Sequence, residues 1–140
     1  MPEQQIAQDA VHRFLAGDCA AAALGVTVSH VAPGEVTAHM TVGDAMVNGH
    51  GSAHGSVLFA LADIAFAMAC NSHGYLAIGR SCQIEYLAPA FPGQAITATA
   101  VERSVVGRGA IYDVAVTRDA DGLLLAELRA NSRQLADRPA

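Results

Sequence analysis

The stretch from His54 to Gly74, HGSVLFALADIAFAMACNSHG, predicts the central element of the fold. Between Val57 and Cys70 it contains one charged residue, Asp63, and neither glycine nor proline. Alanine and leucine favour helix, and a helix that is apolar on every side is buried all round. We therefore expect a long buried helix that begins near His54 and ends before Gly74.

Two elements precede this helix. Residues 3–16 carry apolar side chains on one helical face, and Gly17 is a typical residue at which a helix ends. We therefore expect an amphipathic helix there. Residues 26–42 then alternate between apolar and polar side chains around a Pro33-Gly34 turn, which predicts a β-hairpin.

The sequence after Gly74 contains strand-like stretches separated by turn sequences rich in glycine, proline and aspartate. They cover residues 76–88, 93–106, 109–119 and 123–134. Their alternation is typical of a sheet with one covered face, and we expect an antiparallel meander. The whole pattern predicts an α+β fold in which a curved sheet wraps around one central helix, with residues 1–140 as a single domain and residues 136–140 as a frayed tail.

The composition excludes several functions. With 8 basic and 13 acidic residues, a net charge of −5 and no basic run, the chain is not expected to bind nucleic acid or an anionic membrane. All 8 basic residues are arginine, so neither a Walker-type phosphate lysine nor a Schiff base is available. Only 15% of residues are charged while 52% are hydrophobic, which predicts that a partner subunit or a ligand covers part of the surface.

The cysteines and the N-terminal residues indicate the cellular compartment in which the protein is expected. Cys19, Cys70 and Cys82 are odd in number and show no C-x-x-C spacing, so we expect small buried residues in a reducing environment. The N-terminal residues are polar and acidic, without a basic region leading into an apolar one, and Asp63 interrupts the longest apolar stretch. These features predict a cytoplasmic protein that is neither processed nor inserted into a membrane.

Asp63 is the first candidate for chemistry. Its helical neighbours three and four residues away are Phe59, Ala60, Phe66 and Ala67, which leave a carboxylate poorly hydrated. Such a group costs several kcal/mol unless it is hydrogen-bonded, and burial raises its pKa toward the range of a general base. The residues alone leave two interpretations open: a functional group, or a structural hydrogen bond.

The loop before the helix supplies a second candidate. The run NGHGSAHGS at residues 48–56 leads into a helix N-terminus, where the first N–H groups have no intrahelical partner and the dipole is positive. Such a terminus can hold an oxyanion, and Gly55 has no side chain to block a carbonyl. Asp63 lies roughly 12 Å further along by helical rise. We therefore expect an antiparallel helix of a second subunit to bring its own Asp63 beside Gly55.

This block resembles the signature of the hotdog-fold acyl-CoA thioesterases, and is most similar to the type encoded with phenylacetic acid degradation, the PaaI type. The family pattern is N-x-x-G-x-x-H-G-G, with aspartate eight residues after the first glycine of the final pair. The matching residues are Asn48, Gly51, His54, Gly55 and Asp63. Ser56 stands where the second glycine is usual, and the likeness continues through residues 86–89 into the closing strands.

The resemblance implies a dimer with two active sites at the seam, and usually a dimer of dimers, so a homotetramer is expected. Asp63 of one subunit would activate water, or attack directly, at a thioester carbonyl polarised by Gly55 N–H of the other. Asn48 would help to place the water or the thioester, and His54 would support the loop. The implied reaction is hydrolysis of aryl-acetyl-CoA thioesters to free acid and CoA in phenylacetate degradation, without a cofactor.

Further positions are candidates for contacts with the substrate. Those expected to bind it are Gly51, Ser56 and Ser81. Those that could hold CoA phosphates, since arginine suits bidentate phosphate contacts, are Arg80, Arg103 and Arg108. His50 and His54 have the spacing of a metal pair, but they lie in a glycine-rich loop without a carboxylate between them, so no metal is expected.

Two other functions remain open on the same scaffold. The first is a hotdog hydratase or dehydratase acting on acyl thioesters, in which His54 would have to move protons. The second is a catalytically silent acyl-CoA-binding protein, which would bind ligand without turnover.

Overall fold

The structure, a computed structural model, describes residues 2–135. Its α-helices are α1 (Glu3–Gly17), α2 (Cys19–Leu24) and α3 (Gly55–Asn71). Its strands are β1 (Thr27–Ala32), β2 (Glu35–Thr41), β3 (Ala77–Tyr86), β4 (Ala95–Val106), β5 (Gly109–Arg118) and β6 (Leu124–Gln134). A short 3-10 helix at Asp44–Met46 lies in the loop before α3. The predicted tail at 136–140 lies outside the described residues.

The six strands form one antiparallel sheet in the order β1-β2-β4-β5-β6-β3. The predicted β1–β2 hairpin and the α+β class are confirmed. The predicted meander was wrong for β3, which does not pair with β4. It crosses to the far edge and pairs with β6, so that Ala77 lies opposite Gln134 and Tyr86 opposite Ala126. Alternation identifies a strand but not its neighbour, and the segment 87–94 is long enough to carry the chain across the sheet.

Helix α3 packs against one face of this sheet and contacts β2 through β6. Inward-facing residues of the central strands, such as Ile96 and Val116, are fully buried against it. The Phe66 ring lies edge-on to the Tyr112 ring, with 5.5 Å between their centroids. This packing removes the apolar helix from water, which is the main favourable contribution to folding.

Within one chain, α3 is not buried all round. Ser56 is exposed, and Phe59, Ala60, Asp63 and Ala67 are only half-buried. These residues recur at intervals of three and four, so they form one stripe on the helix. A single sheet covers one side of a helix and α1 contacts a further part of it, which leaves this stripe uncovered by the chain's own elements.

The expectation of three buried cysteines was also wrong for two of them. Cys70 is buried on α3, whereas Cys19 and Cys82 are exposed. Cys19 begins the short surface helix α2, and Cys82 lies on the edge strand β3, which has a neighbour on one side only. All three thiols are free.

The C-terminal end of α3 is fixed to the rest of the fold by polar groups, among which Ser72 is fully buried. The Ser72 hydroxyl donates to the carbonyl of Ala69 at 2.6 Å and accepts from the N–H of Gly34 in the β1–β2 turn at 2.7 Å. Nearby, the Glu102 carboxylate accepts a hydrogen bond from the Tyr112 hydroxyl at 2.6 Å and lies 2.7 Å from His73 Nε2. These contacts join the helix end to β1, β2, β4 and β5.

A test of the packing between α3 and β3 uses Gly79. A Cβ at this position would lie 2.8 Å from Cε2 of Phe66, whose ring is fully buried and held by Tyr112. We expect Gly79→Ala to lower the free energy of unfolding by about 1–3 kcal/mol, the usual range for overpacking, as measured by urea denaturation. Gly17→Ala, where a Cβ meets nothing within 4 Å, should cause no such loss. Equal stability of the two variants would contradict the tight packing at Gly79.

Candidate active site

His54 caps the N-terminus of α3. Its Nδ1 accepts a hydrogen bond from Ser56 N–H at 3.3 Å and lies 3.0 Å from Ser56 Oγ. Its backbone N–H donates to the carbonyl of Met46 at 2.8 Å, which ties the cap to the preceding loop. His54 therefore satisfies one of the helix's free donors, and the serine that replaces the second glycine of the motif takes part in the same contact.

Asn48 organises the loop that leads to this cap. Its Oδ1 accepts from the N–H of His50 at 2.9 Å and, at 3.3 Å each, from the N–H and the hydroxyl of Ser52. The Asn48 carbonyl accepts from the N–H of Gly51, which has a φ of +81° that favours glycine. Because Oδ1 is occupied, the Nδ2 group of Asn48 is the part of this side chain left to contact a ligand.

Gly55, the first residue of α3, has an N–H with no acceptor among residues 2–135. A Cβ at Gly55 would lie 3.1 Å from Cζ of Tyr86, so the tyrosine ring packs directly over this glycine. The structure thus adds Tyr86, which is 51% exposed, as a wall of the site. Sequence reasoning did not single it out, although residues 86–89 belong to the stretch that carries the family resemblance.

Asp63 lies on the uncovered stripe of α3. Its carboxylate has no hydrogen-bond or ion-pair partner within residues 2–135. Burial raises the pKa of Asp63 above its ordinary value of 3.8, and the negative charge of Asp18 raises it further. A carboxylate that is partly desolvated and unpaired is a better proton acceptor than an exposed one. A purely structural hydrogen bond, the other interpretation of this residue, is not present within the chain's described residues.

Two thiols lie near enough to Asp63 to respond to its charge. Burial, together with the Asp63 carboxylate, raises the pKa of Cys70 to about 12 and raises that of Cys82 as well. Thiols with raised pKa values stay protonated at neutral pH and are poor nucleophiles. In this region the Asp63 carboxylate, and not either thiol, is therefore the group suited to act as a base.

The two halves of the candidate site are separated on one chain. Gly55 and Asp63 lie on the same helix, eight residues apart, which corresponds to roughly 12 Å of helical rise. Strand β3, which contributes Cys82 and Tyr86, is an edge strand of the sheet. The Gly55 N–H and the Asp63 carboxylate of one chain therefore lie too far apart to contact the same small chemical group.

The remaining candidates lie elsewhere. The Ser81 hydroxyl accepts from Asn131 Nδ2 at 3.0 Å and has no described contact with Asp63. Arg103 donates to Asp113, and Arg108 reaches the carbonyl of Leu135 at 3.5 Å. Within residues 2–135, no three His, Cys, Asp or Glu side chains come together as a metal site would require. No helix in that part of the chain is long and apolar enough to cross a membrane.

Comparison with known proteins identifies relatives along most of the chain. The thioesterase superfamily model matches residues 50–125. The acyl-coenzyme A thioesterase PaaI of Escherichia coli is 42% identical over 105 residues, which cover 75% of each chain. The structure of the E. coli PaaI protein from the phenylacetic acid degradation operon superposes with a TM-score of 0.94 at 35% identity, covering 98% of this chain and 99% of that one. A mutant of the phenylacetic acid degradation protein PaaI from Thermus thermophilus has a TM-score of 0.80 at 39% identity, with 84% and 100% covered.

These similarities confirm the hotdog fold. The superposition extends over nearly the whole chain, and it includes the curved antiparallel sheet and the long helix. The family resemblance drawn from the loop and helix motif is confirmed as well, since the matched residues include most of that motif.

The raised pKa of Asp63 predicts how the stability of the fold depends on pH. Because the folded state disfavours the ionised carboxylate, Asp63 stabilises the fold only while it is protonated, and this contribution is lost as pH rises from about 3.8 through the higher pKa of the folded state. We expect Asp63→Asn to be more stable than wild type at pH 7, and the difference to vanish at pH 3. Urea midpoints at fixed protein concentration measure this.

Asp113→Asn is the matched control, for which we expect a change in stability at pH 7 of the opposite sign. Hydrogen bonding to Arg129 lowers the pKa of Asp113, so its ionised form stabilises the fold at neutral pH, and this stabilisation is lost as pH falls through the folded pKa. Asp113→Asn should therefore be less stable than wild type at pH 7. A destabilised Asp63→Asn at pH 7 would contradict the burial of an unpaired charge.

Proposed function

The chain belongs to the thioesterase superfamily as an acyl-CoA thioesterase of the PaaI type, and we propose that its substrates are aryl-acetyl-CoA thioesters such as phenylacetyl-CoA. The proposal includes a single hotdog domain over residues 1–140 that works in phenylacetate degradation without a cofactor. The observation that carries the mechanism is the unpaired, half-buried Asp63 carboxylate on the helix whose N-terminus presents the free Gly55 N–H.

In the proposed reaction, Gly55 N–H donates a hydrogen bond to the thioester carbonyl oxygen. Asp63 takes a proton from a water molecule while the water oxygen attacks the carbonyl carbon, and the resulting oxyanion is stabilised by Gly55 N–H and the helix dipole. The C–S bond then breaks, and the proton held by Asp63 passes to the departing sulfur. The products are the free acid and CoA. The raised pKa of Asp63 makes its carboxylate a stronger base than an exposed aspartate, as this role requires.

The other motif residues have supporting roles in this proposal. Asn48 Nδ2 contacts the water or the thioester, because its Oδ1 already holds the loop. His54 fixes the helix terminus as its cap. Gly51 gives the loop its turn, and Ser56 lies at the exposed start of the helix, where both can contact the substrate. Ser81 is proposed as a further substrate contact on β3.

We propose that two subunits share each site. The Gly55-to-Asp63 separation requires a second helix, and the half-buried stripe of α3 is a surface for one to cover. Strand β3 has an unpaired edge, and the apolar side chains of Ile78 and Tyr86 on it are exposed, as is that of Leu87 just after it, so the strand can continue into a partner's sheet. An antiparallel pair of helices would place Asp63 of each subunit beside Gly55 of the other. A dimer of such dimers in the cytoplasm is the assembly we expect.

One feature argues against the hydratase alternative. That reaction would require His54 to transfer protons, but its Nδ1 is engaged with Ser56 as the helix cap. A catalytically silent acyl-CoA-binding protein would bind CoA thioesters without releasing thiol. Thiol release from phenylacetyl-CoA separates these alternatives from a thioesterase.

Removal of the proposed base should abolish most turnover. We expect Asp63→Asn to lower kcat for phenylacetyl-CoA by about 10²- to 10⁴-fold, the usual contribution of a general base, in a thiol-release assay. Asp121→Asn, which neutralises an exposed carboxylate in the β5–β6 turn, should retain wild-type turnover. Full activity of a folded Asp63→Asn protein would exclude the mechanism.

Mixing two inactive variants tests the shared site. Gly55→Val should be inactive because its side chain both blocks the carbonyl and collides with Tyr86. When Gly55→Val and Asp63→Asn subunits are unfolded, mixed and refolded, a hybrid dimer regains one intact site, and random pairing predicts about one quarter of wild-type activity. Each variant refolded alone is the control. Absence of recovery, with hybrids demonstrated by mass spectrometry, would place the site within one subunit.

A further inference from the structure

A chain of hydrogen bonds joins four polar side chains on the sheet face turned away from α3. Asp119 Oδ1 accepts from the Thr97 hydroxyl at 2.6 Å, and Thr97 Oγ1 lies 2.9 Å from His39 Nδ1. The other ring nitrogen, His39 Nε2, lies 2.5 Å from Ser29 Oγ. The groups thus follow one another in the order serine, histidine, threonine, aspartate.

The sheet itself fixes these positions. His39 on β2 lies directly opposite Thr97 on β4, and both side chains alternate with buried neighbours, so they share the outer face. The backbone N–H of Asp119 donates to the carbonyl of Ala95 at 3.0 Å. Ser29 is the unpaired extra residue of a bulge in β1, and bulges re-aim side chains and are over-represented next to active sites.

The same hydrogen bonds determine which imidazole nitrogen carries the proton. The Thr97 hydroxyl has a single hydrogen and donates it to a carboxylate, so its oxygen accepts from His39 Nδ1–H. A neutral imidazole has only one N–H, so Nε2 accepts from the Ser29 hydroxyl. A serine hydroxyl that donates to a histidine, which is oriented in turn by a third group, is the arrangement of an activated nucleophile.

The far end of the chain supplies the compensating charge. When Nε2 takes the serine proton, the imidazolium is positive, and its Nδ1–H stays bound through Thr97 to the Asp119 carboxylate. Ser29 is exposed, whereas His39 and Thr97 are half-buried. A reagent can therefore reach the hydroxyl while the sheet holds the base in place.

We propose that Ser29 is a nucleophile, activated by His39, that is acylated by small carboxylic esters with a stable leaving group, such as aryl esters. An exposed serine offers little binding to a long acyl chain, so the leaving group decides which esters react. Strand β1 forms the edge of the sheet opposite to β3, so this site is separate from Gly55 and Asp63. The proposal goes beyond the thioesterase function and does not depend on it.

The step forms one bond and breaks one. Ser29 Oγ bonds to the carbonyl carbon of the ester while its proton passes to His39 Nε2. The bond between that carbon and the aryl oxygen breaks, and the aryloxide leaves with the electron pair. The proton then passes from His39 to the aryloxide. The products are a phenol and an acyl ester of Ser29.

Mass spectrometry after incubation with p-nitrophenyl acetate tests the proposal. We expect wild type to gain an acetyl group that peptide mapping assigns to Ser29, and no lysine amine competes for the reagent because all 8 basic residues are arginine. His39→Gln should slow acetylation of Ser29 by about 10²-fold, the lower end of the usual contribution of a general base. Thr97→Val, which removes the link to Asp119, should slow it as well.

Controls separate this reaction from unspecific acetylation. Ser104→Ala removes an exposed serine that also follows a strand irregularity, on β4, and should leave the acetylation rate of Ser29 unchanged. The exposed thiols of Cys19 and Cys82 can also take up acetyl groups, but mapping distinguishes them, and His39→Gln should not alter their labelling.

Two results would overturn the proposal. One is the absence of acetyl-Ser29 in wild type. The other is acetylation of Ser29 at the wild-type rate in His39→Gln protein that circular dichroism shows to be folded. Thiol release from phenylacetyl-CoA, measured on the same wild-type sample, tests the thioesterase function separately, so either proposal can fail without the other.

Discussion

The structure depends on how one apolar helix is kept out of water. Helix α3 buries large side chains such as Leu61, Phe66 and Met68 completely, and the sheet exists as a curved surface against which they pack. One chain cannot surround the helix, and the side left over contains Asp63. An unpaired carboxylate therefore lies on the side of the helix that the chain's own elements leave only half-buried.

Both ends of α3 are held by polar contacts, and this gives the candidate site a rigid base. At the N-terminus, His54 caps the helix while its backbone is fixed to Met46. At the C-terminus, Ser72 joins the helix to the turn at Gly34. Burial and the neighbouring Glu102 carboxylate raise the pKa of Tyr112, so its hydroxyl remains a donor and the contact between them persists. Catalytic groups on a fixed helix keep their geometry better than groups on a free loop.

Much of this arrangement could be predicted from the sequence, because it follows from local patterns. The apolar run and its flanking glycines predicted α3 closely, the Pro33-Gly34 turn predicted the β1–β2 hairpin, and the lone charge drew attention to Asp63. The rest depends on contacts between distant residues. The pairing of β3 with β6 is not encoded in the alternation of either strand. The exposure of Cys82 follows from that pairing, and the contact of Tyr86 with Gly55 joins residues far apart in the chain.

The position of β3 has a consequence for how the chain folds. Residues 77–86 lie at an edge of the sheet and pair only with residues 124–134, although β4 and β5 lie between them in the sequence. During synthesis, β1, β2, β4 and β5 can assemble in order, but β3 has no neighbour until β6 emerges. Contacts of such long sequence separation slow folding, because the entropy of closing the loop is lost before the pairing is gained. Closure of the sheet over α3 is therefore a late event that waits for the last strand.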